Sequence, residues 1–93
     1  MAIRSFKCVE TAALFHGKKM RRFVNIETVA IRKLAMLHRA ATLDDLRVPP
    51  GNRLERLRGD RTAQHSIRVN DQFRVCFVWT PDGPTEVEII DYH

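Results

Sequence analysis

The chain has 93 residues, 44% of them hydrophobic, and a formal net charge of +5. That hydrophobic share is too high for a disordered chain, and the length gives one domain with a modest core, residues 1–93. No apolar run approaches the roughly 20 residues that cross a bilayer, and MAIRSFKCVE has charges where a signal peptide needs its apolar stretch. The expected compartment is the cytoplasm, and the charge suggests a polyanionic partner such as nucleic acid, or an acidic protein.

Residues 2–7, AIRSFK, mix Ile3 and Phe6 with basic residues and predict a short first strand. Residues 9–17, VETAALFHG, suit a short helix. Glu10 stands near its positive end and His16 near its negative end, and Gly17 can take the left-handed position after the last turn. GKKMRRF (17–23) is a basic loop, either solvated or in contact with a phosphate backbone. A stronger helix is predicted from Asn25, a good N-cap, with Glu27 in its first turn and Val24 spaced to staple onto Val29. Ile26, Ala30, Leu34, Leu37 and Ala41 make one apolar stripe, and Arg32 and Arg39 fall off it. TLDDL (42–46) reads as a capped short turn or helix, and VPPGN (48–52) breaks the chain.

The rest of the chain is too short for an independent core and reads as β-structure. RLERLRG (53–59) is a candidate strand. QHSIRV (64–69) puts His65, Ile67 and Val69 on one face and Gln64, Ser66 and Arg68 on the other. Asn70-Asp71 suits a tight connection, and FRVCFVW (73–79) is aromatic and β-branched, hence a central strand. PDGP (81–84) marks a turn, and TEVEIIDY (85–92) closes the sheet. Helices first and then an antiparallel meander make the expected fold α+β. Cys8 and Cys76 match no metal-ligand or redox spacing and are expected as free buried thiols.

Between Arg53 and Arg74 the basic side chains are Arg53, Arg56, Arg58, Arg61, Arg68 and Arg74, with no lysine. Arginine's planar fork binds phosphate through two parallel hydrogen bonds and keeps its proton near neutrality. Arg53, Arg56 and Arg61 are equally readable as solvated, or as paired with Glu55 and Asp60. Arg68 and Arg74 differ, because a hairpin closing at Asn70-Asp71 brings them close across the pair. Like charges facing each other destabilise a sheet, so either each finds an acid or an anion lies between them. The chain ends in Asp91, Tyr92 and His93, which can all hold or move protons. They are either a frayed tail or groups that the last strand delivers to a site.

LERLRGDRTAQHSIRVNDQFRVCFVW, followed by a terminal VEIIDYH, resembles the HigB-type killer proteins of bacterial toxin–antitoxin systems, within the RelE/ParE toxin superfamily. The resemblance covers almost the whole chain, including the early IRSFK and the RVPPGNRLE junction. Its most specific parts are the L-x-G-D-R core from Leu57 to Arg61, SIR (66–68), FRVCF (73–77) and the last three residues. It implies N-terminal helices packed on a small, mostly antiparallel sheet, and an endoribonuclease that cuts messenger RNA in the ribosomal decoding site. It also implies a helix-turn-helix antitoxin of the HigA type that neutralises the toxin and represses the shared operon. Operator DNA is then met only through the antitoxin, and no membrane is involved. Carried over by position, Arg58 and Arg61 belong to the basic core around Gly59-Asp60. Arg68 and Arg74 occupy phosphate-contacting strand positions, and Asp91, Tyr92 and His93 form the functional end. Glu55 stands where some relatives place a histidine, so it is a proton-transfer group or a structural one. The nearby imidazole of His65 shares a face with Ile67 and Val69, which fits a core or satisfied side chain better.

RNA supplies its own nucleophile, the 2′-OH. Arginines can stabilise charge on phosphorus, His93 can transfer a proton, Asp91 can orient a neighbour or act as a base, and Tyr92 can stack on a base or bond a phosphate oxygen. No cofactor is expected, and 2′-OH attack proceeds without a metal. The other reading is a non-catalytic toxin of the same fold that jams a DNA topoisomerase, as the ParE branch does.

Overall fold

The computed structural model of the protein describes residues 2–61 and 63–91, apart from the side chain of Arg61. Two helices, α1 (Val9–Phe15) and α2 (Glu27–Arg39), pack on one face of a four-stranded antiparallel sheet. Its strands, β1 (Glu55–Arg56), β2 (Gln64–Arg68), β3 (Phe73–Thr80) and β4 (Gly83–Asp91), lie side by side in chain order. The expected α+β class is therefore the one found.

α1 stops as its sequence predicts. Gly17 sits at φ 90°, a value favouring glycine, and its N–H donates to Leu14 while that of Lys18 donates to Ala13, both at 3.0 Å. These two bonds satisfy carbonyls that the helix end would leave open. Buried Thr11 locks α1 to the sheet, its hydroxyl accepting from the Ile89 N–H at 3.0 Å.

The start of α2 differs from expectation. Burial of Phe23 and Ile26 winds the chain into a 3₁₀ turn over Arg21–Ile26, so the helix begins at Glu27 with no side-chain cap. Val24 is turned outward, 62% exposed, and cannot staple onto Val29. Ile26, Ala30, Leu34 and Leu37 are buried as the stripe predicts. The helix ends at Arg39, so the extended Ala40 takes the buried place expected of Ala41. The chain turns away there because Asp45 accepts from the Ala41 and Thr42 N–H groups, while Thr42 accepts from Asp45 in return. This is the capped turn read in TLDDL.

In the sheet, the β2–β3 turn is held by Asn70, whose side-chain oxygen accepts from the N–H groups of Gln72 (2.9 Å) and Phe73 (2.7 Å). The turn predicted over 81–84 is shorter than expected, and Gly83 and Pro84 already belong to β4. Two other strand expectations need correction. Residues 2–7 form no strand, only one parallel bridge, Phe6 to Val87. The ladder cannot extend because Glu86 has a left-handed backbone (φ 50°) and gives its N–H to the Ser5 hydroxyl, beside a register shift between Cys76 and Val78. Of residues 53–59 only Glu55–Arg56 is strand, because Arg53 ends the preceding turn at φ 46° and the chain coils again at Gly59–Arg61. Gln64 and Ser66 are buried along with Ile67 and Val69, so both faces of β2 are covered. The cysteines are free, but only Cys76 is buried, since Cys8 is partly exposed.

The core lies between the layers: Leu14, Phe23, Ala30, Leu34 and Leu37 meet Ile67, Val75, Phe77, Val87 and Ile89. Leu34 is fully buried at its centre. Truncating such a leucine removes transfer energy and leaves a cavity, so Leu34→Ala should lower unfolding free energy by about 3 kcal/mol in urea titration. Val24→Ala should change it by less than about 0.5 kcal/mol.

Candidate functional site

Strand register decides which side chains meet, because directly paired residues share a face. Ile67, Val75 and Ile89 pair across the sheet and point to the helices. The next residues therefore form rows on the opposite face. One row is Glu55, Ser66, Cys76 and Glu88, and Lys7 extends it by an ion pair to Glu88 at 3.6 Å. The other is Arg68, Arg74 and Ile90. Three predicted site residues, Glu55, Arg68 and Arg74, thus stand on one surface.

The two arginines have different surroundings. Arg74 is buried, and its guanidinium is bonded on several sides. Nε donates to the Ser66 hydroxyl at 2.7 Å, and one terminal nitrogen donates to the carbonyls of Arg53 (2.6 Å) and Ser66 (3.4 Å). The same nitrogen lies 3.1 Å from the Glu55 carboxylate. Arg68 instead leans outward onto Asp71, a carboxylate of the turn that is 100% exposed. An exposed pair of this kind contributes roughly 0.2–1 kcal/mol, so an incoming anion can replace it. Arg74 cannot leave without stranding its buried acceptors on Ser66, each worth about 1–3 kcal/mol. Arg74 is therefore a clamp that holds Glu55, whereas Arg68 is held only by an exposed carboxylate. Glu55 itself remains half exposed, at 53%.

Arg58 is exposed beside the far end of β2, where the Leu57 N–H bonds the Gln64 carbonyl. Gln64 is four residues from Arg68, about 13 Å at the usual strand rise, so Arg58 is not gathered into the Arg68–Arg74 row. Asp91 ends β4 opposite Phe73, one residue past the partner of Arg74. Its side chain accepts from the Gln72 amide at 3.0 Å, at the β2–β3 turn. Tyr92, His93 and the side chain of Arg61 lie outside the described residues.

His65 faces the helices, stacked on Phe77 with ring centroids 6.3 Å apart. Desolvation, helped by the charges of Arg56 and Arg47, pushes its pKa below the ordinary imidazole value. Its Nδ1 is buried with no hydrogen-bond partner among the described residues, which suits a neutral ring in the core margin. Local pattern put Ser66 on the face of Arg68 but did not show that it accepts from Arg74, and it gave no sign of Lys33, whose partner Asn52 is distant in sequence. Among the described residues no three His, Cys, Asp or Glu side chains gather as a metal-binding group, and no helix is long and apolar enough to cross a membrane.

A family model of the RelE-like toxin HigB of type II toxin–antitoxin systems matches residues 6–93. The chain belongs to the HigB-like toxin family. Toxin HigB-1 of Vibrio cholerae serotype O1 is 45% identical over 81 residues, 85% of this chain and 84% of its own. An uncharacterized protein of Haemophilus influenzae is 42% identical over 53 residues, 57% of this chain and 52% of its own. A HigB-like toxin of a type II system has an antitoxin for its partner.

Two measurements check this geometry without any ligand. Arg74→Lys keeps the charge but loses the planar fork, and should cost about 2 kcal/mol of stability in urea, whereas Arg68→Lys should stay within about 0.5 kcal/mol. An Arg74→Lys protein as stable as wild type would refute the clamp. For His65, the folded pKa lies below the unfolded value near 6.5, so acidification puts the proton on the unfolded chain first. Stability that is complete above pH 6.5 should decline below it, with a His65 share of at most about 1.4 kcal/mol per pH unit. His65→Gln should remove that share of the slope in melts between pH 7 and 5.

Proposed function

We propose that this HigB-like toxin is a cytoplasmic, ribosome-dependent messenger-RNA endonuclease that works on the sheet face carrying Glu55, Arg68 and Arg74. The observation that supports this most is the register. Arg68 faces Arg74, Arg74 faces Ile90, and Asp91 comes directly after, so β4 stays paired up to the residue before Tyr92 and His93. A terminus that left the sheet early would have no such relation to the arginines.

In this reading the 2′-OH of one nucleotide attacks the adjacent phosphorus. The O2′–P bond forms and the P–O5′ bond breaks, leaving a 2′,3′-cyclic phosphate and a 5′-hydroxyl. Arg68 neutralises the charge that grows on the phosphoryl oxygens, and Arg58 and Arg61 bind the strand further along. Arg74 acts as a positioning residue that presents Glu55, whose carboxylate can accept the 2′-OH proton or orient the nucleophile. His93 is the proton-transfer group at the chain's end, since an imidazole titrates near neutrality. Asp91 orients it or serves as a base, and Tyr92 stacks on a base or bonds a phosphate oxygen. Such a set is strongest when its substrate is already held in line, which is what the ribosomal decoding site provides. The antitoxin in this reading is a helix-turn-helix protein of the HigA type, and operator DNA is met only through it.

The test is 5′-end mapping of a message in a purified translation system. Wild type should cut only with ribosomes present. Arg68→Gln should slow cutting by about 10²–10³-fold, the range seen when one charge-stabilising donor is removed. The double variant Asp91→Asn, His93→Gln should abolish cutting while melting like wild type. Undiminished cutting by that folded double variant would discard the site. Early DNA-damage signalling with protein synthesis intact would point instead to a topoisomerase-jamming toxin.

A further inference from the structure

A lysine is almost never buried unless something pairs with it. Lys33 is only 7% exposed, and the acceptor described for its ammonium group is the side-chain oxygen of Asn52. No carboxylate among the described residues pairs with it. Asn52 is itself fully buried and fixed, its amide nitrogen donating to the Leu46 carbonyl at 3.1 Å. The next residue, Arg53, carries an exposed guanidinium with no described ion pair, and its carbonyl accepts from Arg74. Arg74 in turn faces Arg68.

From Lys33 through Asn52 and the Arg53 backbone to Arg74 and Arg68, contacts and strand pairing bring four cationic residues to one corner of the molecule. Two carboxylates answer them: Glu55 takes Arg74 and Asp71 takes Arg68. Among the described residues no carboxylate pairs with Lys33 or Arg53, a surplus of two. The strain shows on Lys33, whose pKa is lowered by desolvation and then by the charges of Arg32 and Arg68. One neutral acceptor, the buried Asn52 oxygen, offsets only part of what it costs to desolvate an ammonium group here. Uncompensated charge of this kind is expected where an anion binds.

We propose that the corner formed by Lys33, Arg53 and Arg68 is a second phosphate site, which holds an RNA phosphodiester next to the one that is cut. Arg53 and Arg68 donate the hydrogen bonds, Arg68 exchanging exposed Asp71 for the phosphate. Lys33 adds positive potential from beneath, with Asn52 keeping its ammonium in place. This rests on the RNA-cleaving reading above, but adds two residues to it and is tested by binding, not by cutting.

The experiment titrates the full toxin with a short single-stranded RNA across a range of salt concentrations. It compares wild type with Arg53→Gln, Lys33→Met and, as a control for losing an exposed charge elsewhere on α2, Arg39→Gln. Arg53→Gln and Lys33→Met should each weaken binding several-fold and make the slope of log affinity on log salt shallower by about 0.7. Arg39→Gln should change the slope less. Lys33→Met also strands the buried Asn52 oxygen and should melt somewhat lower than wild type whichever role Lys33 has, so the salt slope is what separates a phosphate-binding lysine from a purely structural one. If both variants track Arg39→Gln, the site is refuted, and if Lys33→Met does not fold, Arg53→Gln alone decides. Inorganic phosphate is the second probe. Thermal protection of wild type by phosphate equal to that by RNA, and lost in both variants, would make this a free-phosphate site and overturn the RNA assignment. A wild type that binds RNA with the expected slope but never cuts would remove the cleavage reading and leave the corner standing.

Discussion

One guanidinium joins three separate stretches of this chain. Arg74 leaves β3, passes the Ser66 hydroxyl on β2, and ends against the carbonyl of Arg53 and the carboxylate of Glu55. Burying a charge is unfavourable unless its hydrogen bonds are met and a counter-charge is close, and here both conditions hold. The two-residue β1 is too short to be secured by its ladder alone, so the clamp does much of what strand pairing would do elsewhere. It also explains how Arg68 and Arg74 tolerate direct pairing. They diverge, one inward across β2 and one outward to the turn, and their charges are answered by different acids.

That division separates scaffold from working surface. The helices and the inward rows of the sheet form the apolar layer, held by burial of residues such as Phe23, Leu34 and Phe77. The outer face carries Glu55, Arg68, Arg74 and Glu88 on strands that the core makes rigid. Groups that must meet a substrate within a few tenths of an ångström are better carried on such strands than on loops. The exchangeable charges sit at the margin, where Asp71 and Arg53 meet solvent.

Strong periodicity made much of this legible in advance. The α2 stripe, the aromatic β3, the Asn70 turn and the Gly17 stop each rest on a local rule, and tertiary packing agrees with each. The misses share another cause. A first strand over 2–7 fails because of the left-handed Glu86, some eighty residues away, and the Asn25 cap fails because buried Phe23 and Ile26 hold residues 21–26 in a 3₁₀ turn. For the site, residue type and spacing picked out Arg68 and Arg74 but could not separate their roles. Whether an arginine clamps or waits depends on which acid reaches it: Asp71 is three residues from both, and Glu55 reaches Arg74 only through the fold. Lys33 was invisible for the same reason, since nothing marks it until Asn52 and the 48–52 break fold over it.

The charge distribution then bears on how so small a protein would select its substrate. Several cations are matched locally, Arg22 by Glu10, Arg47 by Asp44 and Lys7 by Glu88, and these pairs contribute little beyond keeping the surface mixed. The excess that remains near the sheet is not spread evenly, because Lys33 and Arg53 lie at the corner that Arg68 borders. A phosphate chain approaching that corner meets a positive field. On the proposed reading such a field attracts any RNA, and so cannot choose a cutting position. Selection must then come from whatever presents the message in line with Glu55 and the chain's last residues. On the proposed reading, phosphate contacts made through charge carry no sequence information, so the ribosome that holds the message in line supplies what this surface does not.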